Sequence, residues 1–83
     1  MKIRYFAWVR ERVGRAEEDI ALPENVTTIA SLVSFLKTRG EEYRAAFEHE
    51  RIVRAAIDQV HVKPDAAIAG AREIAFFPPM TGG

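Results

Sequence analysis

Hydrophobic and polar residues alternate at the start of the chain, and this period of two predicts a β-strand over residues 2–9. One face of that strand is expected to carry Ile3, Tyr5, Ala7 and Val9, and the other Lys2, Arg4, Phe6 and Trp8. Residues 10–16 include Gly14 and are expected to form a loop. A second extended segment over residues 17–22 ends at Pro23, so the two segments are expected to pair as an antiparallel hairpin.

The spacing of apolar residues changes in the middle of the chain to the i, i+3, i+4, i+7 pattern of a helix. The positions that define this helix are Ile29, Leu32, Val33 and Leu36. Thr27 or Thr28 is suited to cap its N-terminus, and Gly40 is suited to end it. A shorter helix is expected over residues 41–48, with three side chains turned inward: Tyr43, Ala46 and Phe47.

The second half of the chain predicts extended structure over residues 52–62 and a final strand over residues 73–77. The order strand, strand, helix, strand, strand favours an α+β fold in which one main helix packs across one face of a mixed sheet. In that arrangement each element buries its one apolar side. This is the β-grasp, or ubiquitin-like, arrangement, in which the first and last strands lie parallel at the centre of the sheet.

Length and composition restrict the kind of protein. A chain of 83 residues allows one domain, and 48% hydrophobic residues is typical of a globular protein. We assign residues 1–77 to the β-grasp domain and residues 78–83 to an extended C-terminal tail that projects from it. The 12 basic and 12 acidic residues cancel, which argues against binding to nucleic acid or to an anionic membrane. Because no signal peptide or membrane span is evident, the expected location is cytoplasmic.

Side chains that could perform catalysis are few. The chain has no cysteine, which excludes a disulfide scaffold, a thiolate metal site and a cysteine nucleophile. His49 and His61 are expected to be solvated surface residues, because neither has neighbours at metal-ligand spacing. Ser31 and Ser34 have no histidine at a matching spacing, and there is no glycine-rich phosphate loop. The prediction is a protein with no catalytic site of its own, no metal and no permanently bound cofactor.

The C-terminal segment carries the most specific signal in the sequence. Residues 74–83 contain no charged side chain. Pro78 and Pro79 lack backbone N–H groups, so the last strand cannot continue through them, and the pair favours an extended, projecting geometry. Gly82 and Gly83 then leave the terminal carboxylate unobstructed. This pattern suggests a carboxylate that another protein activates by adenylation, although a terminal glycine pair also arises by chance.

Three aromatic side chains are expected to form an exposed patch at the root of the tail. If the helix covers the face of the first strand that holds Tyr5, then Phe6 and Trp8 lie on the opposite face, beside Phe77 of the last strand. Such a patch favours docking to a partner protein, whereas a wrong strand phase or a covering loop would remove it. The partner is also expected to bind the tail residues that precede the glycine pair: Pro78, Pro79, Met80 and Thr81.

These motifs resemble the small subunits of molybdopterin synthase, the sulfur carriers of molybdenum-cofactor biosynthesis. The resemblance covers nearly the whole chain and begins with Tyr5-Phe6-Ala7, Val9-Arg10-Glu11 and Gly14. Its most specific part is the ending, Phe77-Pro78-Pro79-Met80-Thr81-Gly82-Gly83. The family commonly has Gly-Asp-Glu at one turn where this chain has Gly70-Ala71-Arg72-Glu73, so the geometry of that turn stays open.

The resemblance implies a carrier whose chemistry is completed by its partners. A ubiquitin-activating-type adenylyltransferase uses ATP to adenylate the Gly83 carboxylate, and a sulfur donor converts it into a thiocarboxylate. The large synthase subunit, which supplies the catalytic groups, then receives the tail, and the sulfur passes to cyclic pyranopterin monophosphate. The family assembles as a heterotetramer of two small subunits on a large-subunit dimer. This chain is therefore expected to be the sulfur-carrier subunit of a sulfurtransferase complex.

Other functions would use the same kind of tail. The chain could be a sulfur carrier for thiamine, cysteine or tRNA thiolation, or a ubiquitin-like modifier attached to lysines. It could also be a β-grasp binding module in which the pair Gly82 and Gly83 is incidental. The Phe-Pro-Pro spacer before the glycine pair favours molybdopterin synthesis among these alternatives.

Overall fold

A computed structural model of the chain describes residues 1–79. Within these residues it contains five β-strands and three α-helices. They are β1 Lys2–Tyr5, α1 Ala7–Val13, β2 Glu17–Asp19, α2 Ile29–Lys37, α3 Glu41–Ala46, β3 Arg54–Ile57, β4 Val60–Val62 and β5 Glu73–Phe77. The strands form one mixed sheet in the order β2-β1-β5-β3-β4, which confirms the predicted α+β arrangement of β-grasp type.

The first and last strands lie side by side near the centre of the sheet, and they run parallel. The register pairs Ile3 with Ile74 and Tyr5 with Phe76. β2 pairs antiparallel with β1, while β3 and β4 continue the sheet beyond β5 as antiparallel strands. The predicted parallel pairing of the first and last strands is confirmed, as is the antiparallel pairing of the first two. Because β1 and β5 run parallel, the chain leaves both strands at the same edge of the sheet.

Helix α2 forms where the apolar spacing predicts it, and its first turn is closed by a capping box. The Thr28 side-chain oxygen accepts a hydrogen bond from the Ser31 backbone N–H at 3.1 Å, and Ser31 Oγ accepts one from the Thr28 N–H at 2.9 Å. The helix ends at Lys37, and Gly40 precedes α3 instead of ending α2. Its buried face consists of the predicted residues Ile29, Leu32, Val33 and Leu36.

The core lies between the sheet and the helices, and aromatic rings fill much of it. The Phe76 ring packs edge-on against Phe47, with ring centres 5.0 Å apart, and stacks with Tyr5 at 6.4 Å. The inward-facing residues predicted for α3 and its end are all buried: Tyr43, Ala46 and Phe47. Full burial of a side chain such as Phe47 contributes about 1.5–3 kcal/mol, so this ring cluster holds α3 on the sheet.

The strand predicted at the start of the chain is wrong beyond Tyr5, because the chain turns into helix α1 at Ala7. Ala7 adopts a φ of 52°, in the left-handed region, where the backbone changes direction. Val9 and Val13 then lie four residues apart on a buried helix face. Gly14 caps the helix with a φ of 88°, so the predicted loop is mostly helical and β1 connects to β2 through a helix.

The extended segment predicted over residues 52–62 is two strands, because a two-residue turn at Asp58 and Gln59 separates β3 from β4. Both turn residues have positive φ, 48° and 71°, as a type I′ hairpin turn requires. Asp58 Oδ1 accepts hydrogen bonds from the backbone N–H groups of Glu73 at 2.9 Å and Arg72 at 2.8 Å. These bonds hold the pKa of Asp58 below its ordinary value and fasten the turn to the start of β5.

One carboxylate with a 7% exposed side chain ties β2 to its surroundings, and we call its contacts the Glu18 junction. Glu18 Oε2 accepts hydrogen bonds from the hydroxyls of Tyr5 at 2.7 Å and Tyr43 at 2.6 Å. Its Oε1 accepts from the guanidinium groups of Arg15 at 3.1 Å and Arg39 at 3.2 Å. Burial by itself raises the pKa of Glu18. The hydrogen bonds from the two tyrosines and the charges of the two arginines outweigh burial and hold the pKa below its ordinary value.

Candidate functional site

Two neighbouring strands end at the same edge of the sheet, next to the start of the predicted tail. The backbone N–H of Phe6 donates to the carbonyl of Phe76 at 3.0 Å, so the pairing of β1 with β5 continues past the end of β1. β5 ends at Phe77, which still pairs with β3. Pro78 and Pro79 follow outside any strand and are half-buried. Their missing N–H groups explain why the strand stops there.

The sheet face opposite the core carries a shallow depression of about 350 Å³ beside this edge. Its lining residues, which we call the open-face patch, are Arg4, Phe6, Gln59, His61, Glu73, Ala75 and Phe77. The apolar centre is formed by Phe6, Ala75 and Phe77, and Phe6 is 39% exposed. An apolar centre inside a polar rim is the usual anatomy of a protein-docking surface.

Polar side chains pack directly on the two aromatic rings of the open-face patch. The guanidinium carbon of Arg4 lies 5.0 Å from the centre of the Phe6 ring, and Arg4 Nη1 lies 3.8 Å from Glu73 Oε2. The His61 and Phe77 ring centres are 5.0 Å apart. The rim therefore surrounds the apolar centre with a defined arrangement of polar and charged groups, which favours one orientation of a docked partner.

The predicted patch of three aromatic residues is wrong in one member, Trp8. This residue lies on helix α1, where its half-buried side chain packs against the core and carries the Arg12 guanidinium 4.5 Å above its ring. It does not line the depression that holds Phe6 and Phe77. The reason is the helical turn that begins at Ala7, because side chains in a helix no longer alternate between the two sheet faces.

Four tail residues with predicted roles lie outside the described residues: Met80, Thr81, Gly82 and Gly83. The activation of Gly83 and the partner contacts of Met80 and Thr81 therefore stay predictions. The division of the chain into a domain over residues 1–77 and a tail over residues 78–83 is likewise still a prediction.

The two histidines lie on different elements of the structure. His61 lies on exposed strand β4 against Phe77, and His49 is exposed in the turns that precede β3. Within residues 1–79 there is no group of three or more side chains able to hold a metal ion. No helix in the same span has the length and apolar character needed to cross a membrane.

Sequence reasoning missed the polar rim of the open-face patch. Arg4 could have been assigned to it, because Arg4 and Phe6 share a face in the alternating pattern. Gln59 and His61 could not, because their position depends on the turn that folds β4 back along β3. That turn lacks the glycine that usually marks such a hairpin.

The strand order and the position of the main helix define a protein of the ubiquitin-like β-grasp class. SAMP1 from Haloferax volcanii has the same fold: its crystal structure aligns with a TM-score of 0.72 over 100% of this chain and 98% of that chain, at 20% identity. A solved structure from Pyrococcus furiosus, described as a putative molybdopterin converting factor, subunit 1, aligns with a TM-score of 0.64. It is 26% identical, and the alignment covers 94% of each chain.

The chain belongs to the ThiS family, whose sequence model matches residues 3–83. One curated relative is the molybdopterin synthase sulfur carrier subunit of Escherichia coli (strain K12). It is 32% identical over 83 residues, which cover 100% of this chain and 99% of the relative. The predicted resemblance to molybdopterin synthase small subunits is therefore confirmed along the full length of the chain.

Proposed function

We propose that this protein is a cytoplasmic sulfur carrier of molybdenum-cofactor biosynthesis and acts as the small subunit of molybdopterin synthase. The observation that carries this proposal is the full-length match to a sulfur carrier subunit, combined with a β-grasp fold whose last strand runs into the Pro-Pro-x-x-Gly-Gly ending. The match includes the glycine pair, since the family model extends to residue 83.

Activation of the carrier takes place on its backbone carboxylate. In a ubiquitin-activating-type adenylyltransferase, a carboxylate oxygen of Gly83 attacks the α-phosphorus of ATP, and pyrophosphate leaves. Hydrosulfide released by a sulfur donor then attacks the acyl-adenylate carbon, AMP leaves, and after loss of one proton a thiocarboxylate remains on Gly83. The absence of cysteine agrees with this chemistry, because the carrier needs no thiol of its own. ATP is a substrate of the activating enzyme and not a cofactor of the carrier.

Delivery of the sulfur requires the large subunit of the synthase. In the proposed complex, two carriers bind a large-subunit dimer, and residues 78–83 enter the active site of the large subunit. There the thiocarboxylate sulfur displaces an oxygen substituent from a side-chain carbon of cyclic pyranopterin monophosphate, which forms a thioester between Gly83 and the pterin. Water then cleaves the acyl carbon–sulfur bond, so the sulfur stays on the pterin and Gly83 returns to the free carboxylate. The catalytic groups belong to the large subunit. Gly82 and Gly83 suit this step, because residues without side chains pass through a narrow channel.

The open-face patch is the surface that we assign to partner docking. It lies at the edge of the sheet from which the tail begins, so a partner bound to Phe6 and Phe77 is placed next to the tail. Its aromatic centre provides the kind of side chain that contributes most binding energy at protein interfaces. Trp8 lies outside this patch and is not assigned to the docking surface.

The carrier chemistry can be tested by intact-mass analysis after incubation with the activating enzyme, ATP and a sulfur donor. We expect the mass change of one oxygen replaced by sulfur, located at Gly83 by fragmentation. A matched variant with one alanine appended after Gly83 should remain unmodified and equally stable, because the carboxylate is displaced from its position. An unchanged mass of the original chain, with an enzyme that activates a known carrier in parallel, would contradict the proposal.

The docking surface can be tested with a matched pair of alanine variants. Phe77→Ala should weaken binding to the large subunit by about 2 kcal/mol or more, as expected for an interfacial aromatic residue, without unfolding the domain. Ile52→Ala is the control, because Ile52 is an exposed apolar residue with 44% exposure that lies outside the open-face patch. Calorimetric titration gives the affinities. Equal losses of affinity in the two variants would contradict the assignment of the open-face patch to the interface.

A further inference from the structure

A second recessed surface lies on the helix side of the sheet, at the edge opposite β2. It is a groove of about 550 Å³ between α2 and strands β3 and β4, and we call it the α2–β4 groove. Its apolar lining consists of Ile29, Ala30, Val33, Val53, Ala55, Val62, Pro64 and Phe76. A groove of this size, lined mainly by apolar side chains, is large enough to accept a side chain of a binding partner.

The rim of the α2–β4 groove is positively charged. Arg51, Arg54 and Lys63 line it together with a single acidic residue, Glu50. Glu50 is already paired, because its Oε1 lies 2.9 Å from Lys37 Nζ. Among residues 1–79, the three rim cations take part in none of the ion pairs. A ligand for this groove therefore combines an apolar group with a negative charge.

An open edge of the sheet borders the same groove. β4 is the outermost strand, and in residues 1–79 only β3 pairs with it. Ile57 and Val60 flank the two-residue turn and form a hydrogen-bonded pair, so the backbone N–H and C=O of the next residue, His61, point away from β3. Main-chain groups directed outward from an edge strand can pair with an added extended segment.

We propose that the α2–β4 groove binds an extended peptide segment of a partner protein. The segment pairs with the outer edge of β4, places an apolar side chain in the groove, and directs acidic residues toward Arg51 and Lys63. This site is separate from the open-face patch, because consecutive residues of β5 point to opposite faces: Phe76 lines the groove and Phe77 lines the patch. A partner can therefore hold the carrier through the groove while the patch and the tail are engaged elsewhere.

The test uses the full chain labelled for NMR and a synthetic probe, the acetylated and amidated peptide Glu-Val-Ile-Val-Glu. We expect its titration to shift the amide signals of residues 29–33 and 60–63 and to leave those of Phe6 and Phe77 unchanged. The peptide Lys-Val-Ile-Val-Lys should bind at least about tenfold more weakly, because its charges oppose the rim. Absence of groove shifts, shifts at the open-face patch instead, or equal binding of the two peptides would overturn the proposal.

Charge reversal on the rim separates the proposed recognition from general attraction to a cationic protein. The double variant Arg51→Glu and Lys63→Glu should lose at least about tenfold in affinity for the acidic peptide. Arg72→Glu is the control, because this exposed arginine precedes β5 at the opposite end of the sheet. The affinity of this variant for the acidic peptide should change less than about twofold. Equal losses in the two variants would overturn the proposal. A circular dichroism melt verifies that both are folded.

Two other occupants of the groove give different results. If a second copy of this chain fills it, the groove signals shift with protein concentration before any peptide is added. If the chain's own C-terminal segment fills it, a variant that lacks residues 80–83 shows altered groove signals without peptide. Either result would overturn the proposal of a partner segment. The carrier function is unaffected by these outcomes, because the mass change at Gly83 tests it independently.

Discussion

The Glu18 junction predicts a large difference between two adjacent glutamates. Glu18→Gln preserves the size of the side chain but removes the charge that accepts hydrogen bonds from two tyrosines and two arginines. The amide cannot satisfy all four donors, because its nitrogen is itself a donor. Hydrogen bonds to a buried charged group contribute about 1.5–3 kcal/mol each. We therefore expect Glu18→Gln to lower the free energy of unfolding by about 2–3 kcal/mol.

Glu17→Gln is the matched control, one residue away on the same strand. Within residues 1–79, Glu17 pairs only with Lys2, at 3.4 Å, and both side chains are about half exposed. An exposed pair of this kind contributes about 0–1 kcal/mol, so this variant should remain close to the original chain. A domain of this length has a total stability of about 4–12 kcal/mol, which makes the expected difference easy to measure. Urea unfolding followed by circular dichroism at neutral pH gives both values.

The pH dependence gives a second test of the Glu18 junction. The pKa of Glu18 is lower in the folded chain than its ordinary value of 4.5, so the folded state favours the charged form. The resulting stabilisation is fully present above pH 4.5 and is lost as the pH falls through the lower pKa of the folded state. The stability difference between the original chain and Glu18→Gln should therefore shrink in acid. Equal effects of the Glu17 and Glu18 variants, or a difference independent of pH, would refute the reasoning.

Three further predictions follow from individual positions. Gln59→Gly should raise the thermal unfolding midpoint, because glycine adopts positive φ without strain; a lower midpoint would contradict the assigned turn. Phe76→Ala should lower the free energy of unfolding, measured with urea, by about 3–5 kcal/mol, because Phe76 is 1% exposed in the core. Phe77→Ala should lower it much less, and equal decreases in the two variants would contradict the assigned strand faces. Thr28→Ala should lower the free energy of unfolding by about 1 kcal/mol in the same measurement, because the hydrogen bond from the Ser31 N–H is lost. An unchanged free energy of unfolding would contradict the capping box.

Helix α2 and strand β5 could be predicted from the sequence because several local signals agree there. Thr28 supplies the cap of α2, and the apolar spacing identifies the face that is buried. In β5 the alternation of Ile74 and Phe76 with their neighbours matches the faces observed, and Pro78 ends the strand. Where cap, periodicity and terminating residue indicate the same element, tertiary contacts have little to override.

The end of β1 could not be placed because two patterns overlap. Val9 continues the alternation that begins at Ile3, and it also forms the four-residue spacing of a helix with Val13. The choice between them is made by packing, since α1 lies against α3 and β5, elements that are far away in the chain. The alternating pattern consequently assigns Trp8 to the sheet, whereas the structure has it on helix α1. Local alternation over a few residues does not distinguish these outcomes.

The Glu18 junction could not be predicted because most of its contacts join distant parts of the chain. Tyr5, Arg39 and Tyr43 lie 13, 21 and 25 residues from Glu18. In the sequence, Glu18 is one of three consecutive acidic residues. Nothing there distinguishes it from the solvated residues of an exposed edge strand. Only the nearby Arg15 gives a local hint, through its i, i+3 spacing. Burial of one member of a charged run depends on tertiary structure.

The most direct test of the proposed function is transfer of labelled sulfur in a single turnover. The carrier is charged with radioactive sulfur on Gly83, purified, and mixed with the large synthase subunit and cyclic pyranopterin monophosphate. We predict that the label leaves the carrier and enters the pterin product, and that the mass of the carrier returns to that of the free carboxylate. Retention of the label on the carrier, or joining of the carrier to lysines of other proteins without sulfur transfer, would contradict the proposed function.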